Sequence, residues 1–176
     1  MKANKNITVI LLTICVLSVM ALIFYFSSQP ADESSAISTM IARAIISRIM
    51  PDADITRYGS LLADIDHIVR KTAHFLIYSL LGINLCFLFN VAGDGKKPML
   101  YSITIGLTYA VSDEFHQMFV PGRGAQWQDV LLDFCGVAAG GAAVLFLYAC
   151  LRHLKHMKYV RQVAQPPDTS DDDAPQ

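Results

Sequence analysis

Four apolar runs close to twenty residues long divide this chain. An α-helix needs about 20 such residues to cross ~30 Å of hydrocarbon. The first run, 7–26, follows Lys2 and Lys5 and closes on Phe24-Tyr25-Phe26. A secretory signal shares the basic start, but its apolar core is shorter and leads into a small-residue cleavage site. The length of this run and its closing aromatic belt predict an uncleaved anchor. The second run covers 73–92 and ends at Gly93-Asp94-Gly95-Lys96-Lys97-Pro98, a turn. The third covers 99–120 and the fourth 130–151. The expected fold is all-α, an integral membrane bundle of four transmembrane helices.

Residues 27–71 are polar enough to leave the membrane. Within them Ile37, Met40, Ile41, Ala44, Ile45 and Ile49 recur at helical spacing, with Arg43 and Ser47 opposite and Pro51 as the stop. A shorter pattern, Leu61, Ile65 and Ile68, leads towards Arg70-Lys71. Both predict short interfacial helices in the first extracytoplasmic loop; the alternative is that they cap the bundle. One domain, 1–164, takes in all of this. Residues 165–176, with Pro166-Pro167 and Asp171-Asp172-Asp173, read as a disordered acidic tail.

Composition sharpens the picture. The chain is 53% hydrophobic and only 16% charged, whereas soluble domains run near 45–50% apolar and about 25% charged. An ordinary soluble domain is excluded, and a net charge of -1 excludes a general nucleic-acid surface. Cys15, Cys86, Cys135 and Cys150 all fall in apolar runs and read as packing residues. Four spans put both termini on one side. Lys2, Lys5, Lys96, Lys97, Arg152, Lys155, Lys158 and Arg161 lie there, close to the span ends. The other side carries Arg43, Arg48, Arg57, Arg70, Lys71 and Arg123, mixed with acids over a longer loop. The bias towards basic short segments inside predicts cytoplasmic termini.

The candidate chemistry lies in polar residues that apolar helices should not contain. A charge at mid-bilayer costs roughly 2.5–3.5 kcal/mol on insertion scales, so such residues face a partner, a cavity or a pathway. The third run contains Ser112-Asp113-Glu114-Phe115-His116-Gln117. Asp113 lies about 21 Å of helical rise beyond Met99, in the outer third of the hydrocarbon. On the second run Lys71 marks the boundary, His74 lies one turn in, and Tyr78 is four residues further on the same face. On the fourth, Asp129 marks the boundary and Asp133 lies one turn in. Convergence of these faces predicts an outer-leaflet pocket of Lys71, His74, Tyr78, Asp113, Glu114, Gln117, Asp129 and Asp133, with Arg123 closing over it.

Each group also has a plain structural reading. Asp113 or Glu114 with Lys71 or Arg123 makes a register-fixing ion pair. His74 makes a hydrogen-bonded core histidine, Tyr78 and Trp127 ordinary interface aromatics, and Gly136-x-x-x-Gly140 with Gly141 a close helix contact. His116 is placed towards the headgroups. No H-E-x-x-H or equivalent spacing is present, so neither metal nor other cofactor is expected.

These residues resemble the VanZ-like family, whose founding member is linked to teicoplanin resistance. The matches are Ser27-Ser28-Gln29, Lys71-x-x-His74-Phe75-x-x-Tyr78, and Asp113-Glu114-x-x-Gln117-x-Phe119-x-Pro121-Gly122-Arg123. The last continues as Asp129-x-x-x-Asp133-x-x-Gly136-x-x-x-Gly140. Two positions depart: family members usually carry Asn at 133 and often Glu at 77, where this chain has Asp133 and Ile77. The resemblance implies a small multi-spanning bacterial membrane protein associated with a glycopeptide that acts outside the membrane on wall precursors.

Three functions are compatible with these residues. In a non-enzymatic binder, Lys71 and Arg123 hold the phosphate or carboxylate of an outer-leaflet amphiphile, such as a lipid-linked wall precursor or a lipoglycopeptide tail. In an intramembrane acid–base hydrolase or transferase, His74 or Glu114 is the base, Asp113 orients it and Arg123 stabilises negative charge. In a structural subunit of an envelope complex, the polar ring sets helix register.

Overall fold

The structure, a computed structural model, describes residues 2–49, 59–93 and 97–163. These form five helices: α1 Lys2–Ser27, α2 Ala31–Ile49, α3 Gly59–Ala92, α4 Pro98–Gln117 and α5 Trp127–Val163. No strand occurs among the described residues. The sequence-predicted tail and the stop at Pro51 lie outside them.

Local chemistry sets the ends. Pro30 cannot continue α1, and the last-turn carbonyls take local side-chain donors: Ser28 Oγ donates to Phe24 O at 2.7 Å and Gln29 Nε2 to Tyr25 O at 3.4 Å. Pro98 begins α4, where its missing N–H costs nothing.

Two expectations change. The Leu61–Ile68 pattern is not a separate interfacial helix: it is the start of α3, which runs unbroken from Gly59. Lys71 and Thr72 are polar but are not helix breakers, and no proline interrupts 59–92. Nor does the third run behave as the others do. Among the described residues, Asn4–Ser27, Gly59–Ala92 and Trp127–Gln162 are the helices long and apolar enough to cross a membrane. Helix α4 is not among them, because Ser112, Asp113, Glu114, His116 and Gln117 occupy its last two turns. Three apolar helices make this a membrane protein.

The chain forms two units, Met1–Val144 and Leu145–Gln176. In the first, Val16 and Ile23 of α1 meet Tyr78, Leu81 and Leu85 of α3, Ala110 of α4 and Val137 of α5 in one buried cluster. Tyr109 Oη donates to Met20 O at 2.6 Å, fixing α4 on α1. Helix α2 buries Ser38, Ala42 and Ile46 and leaves Met40 and Ile49 exposed. It is held to α3 by polar contacts. Ser38 Oγ and Thr39 Oγ1 both donate to Asp66 Oδ1, the latter at 3.0 Å. Arg70 Nη2 donates to Ser35 Oγ at 2.7 Å and to Asp66 Oδ2 at 3.1 Å.

Asp66→Ala is therefore expected to release α2. Hydrogen exchange across 31–49 should accelerate about tenfold or more, the scale of one lost charged hydrogen-bond partner. Exchange in the 78–85 stretch of α3 should not move. Unchanged α2 protection would refute this account of how the helix is held.

The second unit, as far as Val163, is helical. Arg152, Lys155, Lys158 and Arg161 are all exposed on it, together with Leu154, Met157 and Tyr159.

Candidate functional site

The site begins with Asp113, which is 3% exposed on the last turns of α4. Its Oδ2 accepts from Ser27 Oγ of α1 at 2.8 Å, from Gln117 Nε2 at 3.1 Å, and from Tyr78 Oη of α3 at 3.3 Å. One carboxylate oxygen thus joins three helices. Gln117 is reachable because it lies one turn further along α4, and its Oε1 accepts from Arg123 Nη1 at 3.4 Å.

Arg123 rides on the turn after α4. Gly122 supplies φ +75°, and a Cβ there would sit 2.9 Å from Ala31 Cβ. Pro121 O accepts from Ala31 N at 3.2 Å, so the turn is fixed to the start of α2. Arg123 Nη2 donates to Phe26 O at 3.2 Å, satisfying a last-turn carbonyl of α1. Burial, and then Arg70, draw the Arg123 guanidinium below its usual pKa, while Asp113 and Glu114 act the other way. It stays charged.

The remaining expected residues pair differently. Lys71 forms an ion pair with Asp129. His74 Nδ1 lies 3.7 Å from Asp133 Oδ1, too far for a hydrogen bond but close enough for charge pairing. Glu114 Oε2 accepts from the Gln126 backbone N–H at 2.9 Å. Asp133 is fully buried, and neither of its oxygens has a hydrogen-bond partner among the described residues; the same holds for Asp113 Oδ1 and Glu114 Oε1. No group of three or more His, Cys, Asp or Glu side chains among the described residues is arranged to hold a metal ion.

Two cavities adjoin this network. The smaller, about 140 Å³, is polar and includes Lys71, His74, Gln117, Arg123 and Asp129 in its wall. The larger, about 490 Å³, lies between the end of α1, α2 and α3 and is mainly apolar. Arg70, His74 and Arg123 belong to both walls. The expected single pocket thus resolves into two layers. Lys71, His74, Arg123 and Asp129 are partly exposed and line the polar cavity, Gln117 is buried but reaches its wall, and Tyr78, Asp113, Glu114 and Asp133 are buried away from it. Asp113 is turned inward by its three donors and Glu114 by the Gln126 amide.

Sequence reasoning missed Ser27 as a partner of Asp113 and Arg70 as a wall residue. Each had a signal. Ser27 opens the Ser27-Ser28-Gln29 motif, and Asp66, Arg70, His74 and Tyr78 follow at successive four-residue steps once 59–92 is read as one helix.

Ser27→Ala removes the shortest bond to Asp113 and leaves a buried carboxylate with fewer donors, which costs about 1–3 kcal/mol. The expected result is a clearly lower melting temperature in detergent. Tyr78→Phe, which removes the 3.3 Å bond, should lower it less. Equal melting of Ser27→Ala and parent would show that Asp113 does not depend on this donor.

A family model described as VanZ/LLP1 matches residues 12–149. No curated protein matches, and no solved structure does.

Proposed function

The chain belongs to the VanZ/LLP1 family, and from that premise we infer that it binds an anionic cell-envelope amphiphile. The occupant is a lipid-linked wall precursor or the lipid tail of a lipoglycopeptide, and its capture underlies an association with glycopeptide (teicoplanin) resistance. In this reading α4 completes a four-pass bundle with cytoplasmic termini, and the polar pocket faces the extracytoplasmic side.

One observation carries the reading: Arg70, His74 and Arg123 stand where a polar and an apolar cavity meet. An amphiphile has that same division, and guanidinium groups are suited to phosphate or carboxylate through paired N–H donors. Lys71, already paired with Asp129, stands at the rim of the polar side. The buried carboxylates set the position of the cations without meeting the ligand.

The test uses the full chain in phosphatidylcholine vesicles, with a polyprenyl phosphate and the matching neutral polyprenol as probes. Preference for the phosphate by about tenfold or more is expected, the yield of one charge-assisted contact pair. Equal binding of the two probes would remove the reading.

A second reading rests on His74, which reaches both cavities with Asp133 behind it. A histidine so placed can serve as a general base, with the Asp133 carboxylate at charge-pairing distance. In an intramembrane hydrolase, water would attack the terminal phosphorus of a bound polyprenyl diphosphate with His74 taking its proton, the bridging P–O bond would break and polyprenyl phosphate would leave, so His74→Asn would lower kcat for phosphate release far more than it weakened binding. In a purely structural subunit, Glu114→Gln would instead reduce expression with no separable activity.

A further inference from the structure

We propose that the larger cavity is a hydrocarbon-chain site that opens sideways between α1 and α2, so that its occupant enters from the acyl layer of the membrane and not from water. This deepens the reading above by naming where the chain of the amphiphile lies and how it arrives.

The inner wall comes first. Ile23, 2% exposed, and Ile77, Val69 and Ala73 of α3 line the cavity from the core side. The outer wall is different. Phe26 of α1 and Ile37 and Ile41 of α2 line the same cavity while being 47%, 57% and 41% exposed. Residues that belong both to a wall and to the outer surface mark a mouth. This mouth is framed by large apolar side chains, and one of its sides is the end of a helix long and apolar enough to cross a membrane, Asn4–Ser27. Such a rim is costly in water and costs nothing against acyl chains.

The volume decides what kind of apolar object fits. About 490 Å³ falls within the range of small-ligand pockets, roughly 300–1,000 Å³. A single turn of α-helix, ~5.4 Å long and ~10–12 Å across, occupies about that much by itself. No more than about one turn of a partner helix can be taken in, whereas a single alkyl or prenyl chain, much thinner, runs along the cavity. The far end of the cavity supplies the remaining element. Arg70, His74 and Arg123 continue into the polar cavity, so a chain lying inward from the mouth delivers an attached phosphate to the cations.

The experiment places the full chain in phosphatidylcholine vesicles with a trace of phosphatidic acid bearing a mid-chain diazirine. A second arm uses the diacylglycerol of the same chains. After illumination, adducts are mapped by mass spectrometry. Adducts concentrated in 23–41 and 69–77 are expected, and they should be lost in Ile77→Trp and in Ile41→Trp, each of which fills the cavity. The second substitution is on the half-exposed rim and keeps the test intact where the first disturbs folding. Adducts spread evenly over the outer faces of α1 and α4, unchanged in either variant, would overturn the chain site whatever the phosphate preference. Equal cavity labelling by the neutral and the anionic lipid would uphold the chain site and defeat the anion reading instead.

Discussion

Gly140→Leu is expected to leave no well-folded protein. A Cβ at position 140 would lie 2.0 Å from Ser79 O, and one at Gly82 would lie 2.2 Å from Val137 O. Both neighbours are main-chain atoms of the facing helix, so no rotamer change relieves the contact. Gly136 is also tight, with Phe75 O at 2.7 Å. Here α3 and α5 touch backbone to backbone, the packing that small residues permit between membrane helices. Overpacking of a filled core costs typically 1–3 kcal/mol and occasionally more. An obstacle that cannot move, meeting a side chain four carbons large, belongs at the upper end. The measurement is size-exclusion and thermal melting in detergent: aggregated or absent protein for Gly140→Leu, parent-like melting for Gly59→Ala, where nothing lies within 4 Å. Gly141→Ala should fall between them, since its obstacle is the flexible Met99 Sδ at 2.7 Å. Parent-like melting of Gly140→Leu would show that α3 and α5 are not in backbone contact.

Arg123→Ala is expected to remove most of the affinity for a polyprenyl phosphate while leaving that for the neutral polyprenol. Arg123 is half-buried, and losing one charge-assisted contact there costs about 1.5 kcal/mol, roughly tenfold in affinity. Arg123 is already held by Gln117 Oε1 and Phe26 O. An anion therefore meets a guanidinium whose position is fixed, and little ordering cost remains. Arg123→Lys separates charge from geometry. It keeps the cation, but an ammonium has no planar fork to span these acceptors and an anion together. An intermediate loss for Lys and a full loss for Ala is the expected order. If Arg123→Ala bound the phosphate as tightly as the parent, the anion would have to be held elsewhere.

Much of this was legible in the sequence because membrane helices advertise themselves. The apolar lengths of α1, α3 and α5 follow from the thickness they must cross. The polar residues of α4 stand out against them because charges in such helices need a reason. Partner choice was less legible. Lys71 pairs with Asp129, not with Asp113 or Glu114, because a one-turn step on a helix says which face a residue occupies but not which neighbour faces it. Breaking the second helix at residue 73 also hid Arg70. The stretch before that point read as a separate short interfacial helix, yet Asp66 and Arg70 keep helical spacing with His74 and turn towards α2 instead of solvent. The larger cavity had no sequence signal, since its apolar wall is made of Ile, Val, Ala and Phe side chains from three helices that are ordinary one by one.

The end of α1 carries a consequence for biosynthesis. Ser27 Oγ finds its acceptor on Asp113, 86 residues further along the chain, and Phe26 O, which accepts locally from Gln29 N, gains a second donor in Arg123, 97 residues further. Chains emerge N-terminus first, so α1 reaches the membrane with the hydroxyl of Ser27 still waiting for an acceptor that has not been translated, whereas Phe26 O already has the Gln29 backbone N–H at 3.4 Å. Its first turns stand on their own apolar length. Ser27 gains its acceptor only once Asp113 has been made, so nascent chains arrested before and after that point should differ in protection at α1's C-terminal end.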